Sequence, residues 1–253
     1  MGTLRVEDRS AGVRWLTLDR PPANAENETL LADLLAAVEQ ASSDPTVRAV
    51  VLTGGGKFFS GGFDLSQPRR DDEEVVVMTT LFRDAHVRLL TLPKPTIALM
   101  NGHAIAGGLV LVLACDYRLG VDGDYRIGLN EVAIGAAYPK VALEIVRLRL
   151  SHQRAAELLL GAALYPASQA IRLGVVDELL PADKIEDTVL RRATRMGAFP
   201  REAYAHAKLA LAAEAVARVM AETPEEAARA AAVWQTAESR AARAQQQEKL
   251  GRK

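Results

Sequence analysis

The sequence predicts an α/β fold built from parallel strand–helix units, on three observations. Near-continuous apolar runs bounded by Pro or Gly recur at residues 13–18, 47–53 and 93–102. Runs of that kind suit strands buried on both faces of a sheet. Stretches with helical spacing lie between them, and this alternation builds parallel sheets. From about residue 183 the chain is mostly Ala, Glu, Arg and Gln, a composition that favours exposed helices.

Taken in order, VRWLTL (13–18) is a β-rich run that ends at Asp19 and the Pro21-Pro22 pair. LLADLLAAVEQA (30–41) has helical spacing and is followed by the breaker SSDP. VRAVVLT (47–53) is a buried-strand run closed by Gly54-Gly55-Gly56. SQPRRDDEE (66–74) is polar and charged, the best candidate for a mobile loop, and a helix carrying Met78, Leu81, Phe82 and His86 is expected after it. PKPTIALMNG (93–102) is a Pro-bounded strand with an Asn-Gly turn. The segment after Gly107-Gly108 reads as a short buried helix leading to a strand. KVALEIVRLRL, HQRAAELLLGAAL and SQAIRLG read as helices, and VVDELLP as a short extended exit. No second core follows a linker. The division expected is 1–183 for the core and 184–253 for a helical region packed on it or on another subunit.

Composition removes several function classes. A chain of 253 residues buries roughly three quarters of its unfolded surface, so it needs no staples. A net charge of −1 provides no global field for nucleic acid or membrane. Cys115 is the single cysteine, which excludes an internal disulfide and reads as a buried, inert thiol. MGTLRVEDRS lacks the apolar core of a signal peptide, and the longest apolar stretch, 104–115, is too short to span a bilayer. The C-terminal GRK is neither a prenylation box nor a peroxisomal SKL address. A soluble, cytoplasmic protein is the expectation. The four histidines are scattered, so no metal site is expected.

Three segments carry chemistry. TGGGKFFSGGFDL (53–65) suggests a phosphate loop, but Lys57 is followed by Phe58 and no glycine stands where a Walker motif needs one. A hydrolase elbow also fails, because Phe58 stands two residues before Ser60. Gly61 and Gly62 remain as bare backbone able to face a ligand atom, or as a plain turn. In NGHAIAGGLVLVLACD (101–116), Gly107-Gly108 opens a helical run. A helix N-terminus exposes free N–H donors that suit a developing oxyanion; close packing on a sheet is the alternative. Two glycine pairs, each after a strand of one sheet, favour a joint oxyanion hole. His103 reads as a packed or turn histidine. In RIGLNEVAIGA (126–136), Glu131 is a lone acid in apolar company, where desolvation raises a carboxyl toward the range of a general base. Asn130 beside it can contact a ligand or hold a turn.

Together, KFFSGGFDL, PKPTIALMNGHAIAGGLVLVLACDYRL and IGLNEVAIG resemble, in order and spacing, the crotonase superfamily of enoyl-CoA hydratases and isomerases. The resemblance covers about residues 10–183. It implies a crotonase-like ββα spiral with a C-terminal helical trimerisation region, and a homotrimer or dimer of trimers. It also implies an acyl-CoA substrate, with coenzyme A carried as part of the substrate and no separate cofactor. Carried over by position, Gly61 and Gly107 are expected to hold the thioester oxygen. Ser60 and Asp64 are expected to flank the CoA arm, Gly62 and Gly108 to line the same site, Asn130 to touch substrate and Glu131 to be the base.

Departures shape the expected reaction. Hydratases of the superfamily use two glutamates; the first of those positions is Val110 here. One carboxylate suits removal of a C2 proton from a 3-enoyl thioester and its return at C4, a Δ3–Δ2 isomerisation. IGLNE also resembles the mitochondrial-type isomerases more than the hydratases. PPANAENETL (21–30) departs at Ala25 and Glu26 from a string found near the adenine pocket. Glu144 reads as a helix-surface acid. Hydration, another crotonase reaction on an unusual acyl group, and a non-catalytic acyl-CoA binder stand as alternatives.

Overall fold

A computed structural model describes residues 2–64 and 72–251. The expected strand runs organise one six-stranded sheet. Its strands are β1 (Leu4–Arg9), β2 (Val13–Leu18), β3 (Ala49–Gly54), β5 (Thr96–Met100), β7 (Tyr117–Val121) and β10 (Glu178–Leu180), in that spatial order. Only β1–β2 is antiparallel; β2–β3, β3–β5, β5–β7 and β7–β10 are parallel. A second sheet holds four short strands in the order β4 (Phe58–Ser60), β6 (His103–Ile105), β8 (Arg126–Gly128) and β9 (Tyr165–Pro166).

The apolar runs have a simple origin. Along β3, Val50 and Leu52 enter the main core while Val51 enters the smaller one. Along β5, Ala98 and Met100 face the first and Ile97 and Leu99 the second. Successive side chains point to opposite faces, and both faces are covered, so apolar residues dominate both. The main core is covered by α1 (Glu28–Ser43), α2 (Asp72–Thr91), α3 (Gly107–Ala114), α4 (Lys140–Arg149) and α5 (His152–Gly161). The second face is closed by α6 (Ala182–Gly197), through Ile185, Val189 and Ala193. Helices α7 (Arg201–Met220), α8 (Pro224–Trp234) and α9 (Ala237–Gly251) follow, and α7 packs on α4.

Several readings are corrected. SQAIRLG forms a single 3-10 turn at Ala167–Gln169 and then tight turns ending at Gly174, whose φ is 75°. Glu144 is not a surface acid: it is 1% exposed, and its two oxygens are taken by Arg147 at 2.9 Å and Arg218 at 2.6 Å. β1 and the four short strands carry too few apolar residues to be read from pattern. Most of the loop segment 66–74, residues 66–71, lies outside the described residues. Cys115 is fully buried, and His103 accepts from the Arg126 N–H at 3.0 Å while its ring packs on Phe58. No helix among the described residues is long and apolar enough to cross a membrane.

Candidate active site

The two glycine pairs meet because β4 and β6 pair in parallel, with Phe58 opposite His103 and Ser60 opposite Ala104. The strands that deliver them belong to the second sheet, not to the long sheet read from sequence. Beyond β6 the chain turns sharply at Ala106, whose φ of 53° lies in a region that L-residues avoid. That turn is held by the Ala106 N–H bond to Gly128 O at 2.9 Å, and by Leu109 and Val110 N–H groups returning to Ala106 O. Helix α3 therefore begins at Gly107 with its N–H facing away from the helix ladder, as first-turn donors do. A Cβ on Gly62 would lie 3.0 Å from Gly107 N, so the two segments touch backbone to backbone.

The donors differ from those expected. The Gly61 N–H is donated to Ala23 O at 2.9 Å, so it is already used. The Gly62 N–H is donated to Ser60 Oγ at 3.1 Å. In these two turns the N–H groups of Phe63, Gly107 and Gly108 make no hydrogen bond among the described residues. Ser60 is fully buried, its hydroxyl 2.9 Å from Asn24 O, and so does not reach a ligand arm here. Gly108 is required by packing, since a Cβ there would collide with Ser60 O. Asp64 pairs with Arg20 at 2.6 Å.

Glu131 precedes the 3-10 turn Val132–Ile134, and its carbonyl accepts from the Ile134 and Ala136 N–H groups. It is 8% exposed, and its Oε2 has no partner. Burial pushes the carboxyl up to about 7. Asn130 Oδ1 is likewise buried and unpartnered. The Tyr138 hydroxyl, which reaches Leu129 O at 3.2 Å and Leu159 O at 3.0 Å, braces the same turn. α9 closes over it, with Ser239 against Gly135.

One group was missed. Glu26, read only as a break in a motif, is 0% exposed. It lies beside Phe63 in a parallel bridge and has an unpartnered Oε2. Burial, with the Glu131 charge adding, pushes it up to about 8. Nothing local marks it, because its neighbours in ANAENET are small or polar. His86 on α2 is also fully buried, and burial lowers it to about 4, so its ring is neutral.

Residues 8–252 match the enoyl-CoA hydratase/isomerase family. The chain belongs to the enoyl-CoA hydratase/isomerase family. It is 38% identical over 186 residues to a putative enoyl-CoA hydratase of Thermus thermophilus, covering 72% of each chain. Human mitochondrial enoyl-CoA delta isomerase 1 is 29% identical over 199 residues, covering 78% of this chain and 66% of that one. The crystal structure of human mitochondrial Δ3-Δ2-enoyl-CoA isomerase has the same fold, with a TM-score of 0.93 at 24% identity over 99% of this chain and 98% of that one. The crotonase fold and an enzymatic role follow from membership of this family.

A cavity of about 230 Å³ between α4 and α7 is a poor rival site. It is lined by Asp116, Arg149, Tyr204 and Lys208, and there the Lys208 ammonium is neutralised by Asp116 at 2.7 Å. Among the described residues no group of three or more His, Cys, Asp or Glu is placed to hold a metal ion.

Proposed function

We propose that the protein is a Δ3–Δ2-enoyl-CoA isomerase in which Glu131 is the base. The observation that carries this reading is a buried carboxyl with a free oxygen beside an oxyanion-type turn, while Val110 on α3 offers no second acid. Glu131 takes a proton from C2 of a 3-enoyl thioester. The electrons of that C–H bond form C2=C3, and those of C3=C4 collect the returned proton at C4. In the dienolate between these steps the charge rests on the thioester oxygen, which the Gly107 N–H, and the Phe63 N–H in place of the expected Gly61, are positioned to hold. A base near 7 is about half ionised at neutral pH, which balances availability against strength. Coenzyme A enters with the substrate, and the reaction calls on no other cofactor.

The test is the product of 3-hexenoyl-CoA in oxygen-18 water. A same-mass 2-enoyl thioester without label is expected, and Glu131→Gln should lower kcat by at least about 10² with the fold and CoA binding unchanged. Turnover of the variant within a few fold of wild type would refute Glu131 as base. Hydration is the second reading, favoured specifically by the second buried carboxyl, Glu26; it would give a labelled product heavier by one water. Tight CoA binding with no product from a panel of enoyl thioesters would favour the binder.

A further inference from the structure

Isomerisation by Glu131 leaves one carboxyl in the site without work. Glu26 lies 3.4 Å from the Ser60 hydroxyl through Oε1, and its Oε2 has no partner. That oxygen fills the place where a side chain on Gly107 would begin: a Cβ there would collide with Oε2 and lie 2.9 Å from Glu26 Cδ. Gly107 thus opens its N–H to the site and yields its side-chain space to Glu26. Val110 lies three residues on along the same helix face, so the carboxyl stands where α3 has no acid of its own.

The groups around Glu26 decide its charge. Ser60 comes from β4, and Glu131 precedes the 3-10 turn. His86 comes from α2, its ring tilted against that of Phe82, which would meet a Gly107 Cβ at 3.0 Å. Arg20 is committed to Asp64. No cation pairs with Glu26 among the described residues, so burial holds its proton at neutral pH. An ionised Glu26 would repel an enolate formed at Gly107. A neutral one brings an O–H donor to a hole whose Gly61 N–H is spent on Ala23.

We propose that Glu26 is a catalytic residue: a neutral carboxyl that donates its O–H to the thioester oxygen beside the Gly107 N–H as that oxygen gains negative charge. The proton stays on Glu26, and no covalent bond to it forms or breaks. The role rests on the acyl-thioester reading, but not on which double bond moves.

Acetoacetyl-CoA tests it without turnover, because its enolate absorbs in the near ultraviolet and reports oxyanion stabilisation directly. The bound enolate fraction would be titrated against pH in wild type, Glu26→Gln and Glu26→Leu, each checked for fold by circular dichroism. Losing one such donor costs about a hundredfold, so Glu26→Leu should move bound enolisation about two pH units higher. Glu26→Gln, which retains an N–H donor, should recover much of that. In the wild type the infrared difference spectrum on binding should show a protonated carboxyl C=O stretch shifting, which needs no variant. With an enoyl-CoA substrate, the fall in kcat above about pH 8 should vanish in both variants. An unchanged enolate fraction in Glu26→Leu, an equal loss in Gln and Leu, or no C=O shift would overturn the role. If wild type leaves 3-hexenoyl-CoA untouched, the isomerase reading fails and the acetoacetyl-CoA titration still decides Glu26.

Discussion

At the residue scale, the site is defined by polar atoms that the fold leaves unsatisfied. Buried acceptors are normally paired, and an unpaired one is costly. Glu26, Asn130 and Glu131 each leave one such atom. The cost should show as a pH-dependent stability. Both carboxyls are raised in the fold, Glu26 from 4.5 to about 8 and Glu131 from 4.5 to about 7. Their favourable neutral state is fully available below 4.5 and is lost as the pH climbs through the folded values. His86 has the opposite sign, losing stability as the pH falls from 6.5 toward about 4. Above pH 6.5 the carboxyls alone therefore set the slope among these three. Melting temperature should fall between pH 6.5 and 9, and Glu26→Leu should flatten that fall, which calorimetry across this range would read. An equal slope in the variant would contradict a buried, proton-holding Glu26.

At the element scale, helix α3 combines two demands in one glycine. It is wholly buried from Gly107 to Ala114, with no polar face, so its N-terminus serves the site while its body serves the core. Gly107→Pro deletes the N–H but also adds a Cβ against Glu26. Gly107→Ala adds the same Cβ and keeps the N–H. Both should lose stability by about 1–3 kcal/mol through overpacking. Only the proline variant should lose a further factor of about 10² in kcat, the size of one hole donor. Equal kcat in two folded variants would remove the Gly107 N–H from the mechanism. The 3-10 turn at Val132–Ile134 is a second dual-use element: it aims Glu131 inward and presents Gly135, at φ 68°, to Ser239 of α9.

At the scale of the whole molecule, the helical end of the chain divides its work. α6 completes the core on the second face of the long sheet. α7 keeps Ala212, Ala215 and Val219 inside yet leaves Leu209, Leu211 and Met220 well exposed. Exposed apolar residues on one helix favour contact with further copies of the chain, in line with the trimer that the resemblance implies. Sedimentation equilibrium should return three or six chains. A single-chain mass at micromolar concentration would refute the trimer, and Leu209→Lys should weaken the assembly if the face that Leu209 shares with Met220 is buried in it.

By itself the sequence determined the strand–helix alternation, because a sheet covered on both faces leaves its inner strands mostly apolar. It also determined Gly107 and Glu131 as candidates, because a glycine pair opening an apolar helix and a lone acid in apolar company are local signals. It did not determine which amides are free. Gly61 and Phe63 look alike to pattern, and only the return of the chain at Ala23 uses one and spares the other. It misplaced Glu144, whose burial depends on Arg218 arriving from 74 residues away. Glu26 was invisible for the same reason. Its surroundings come from β4, α2, α3 and the Glu131 turn, and a carboxyl's environment is a property of what the fold gathers around it.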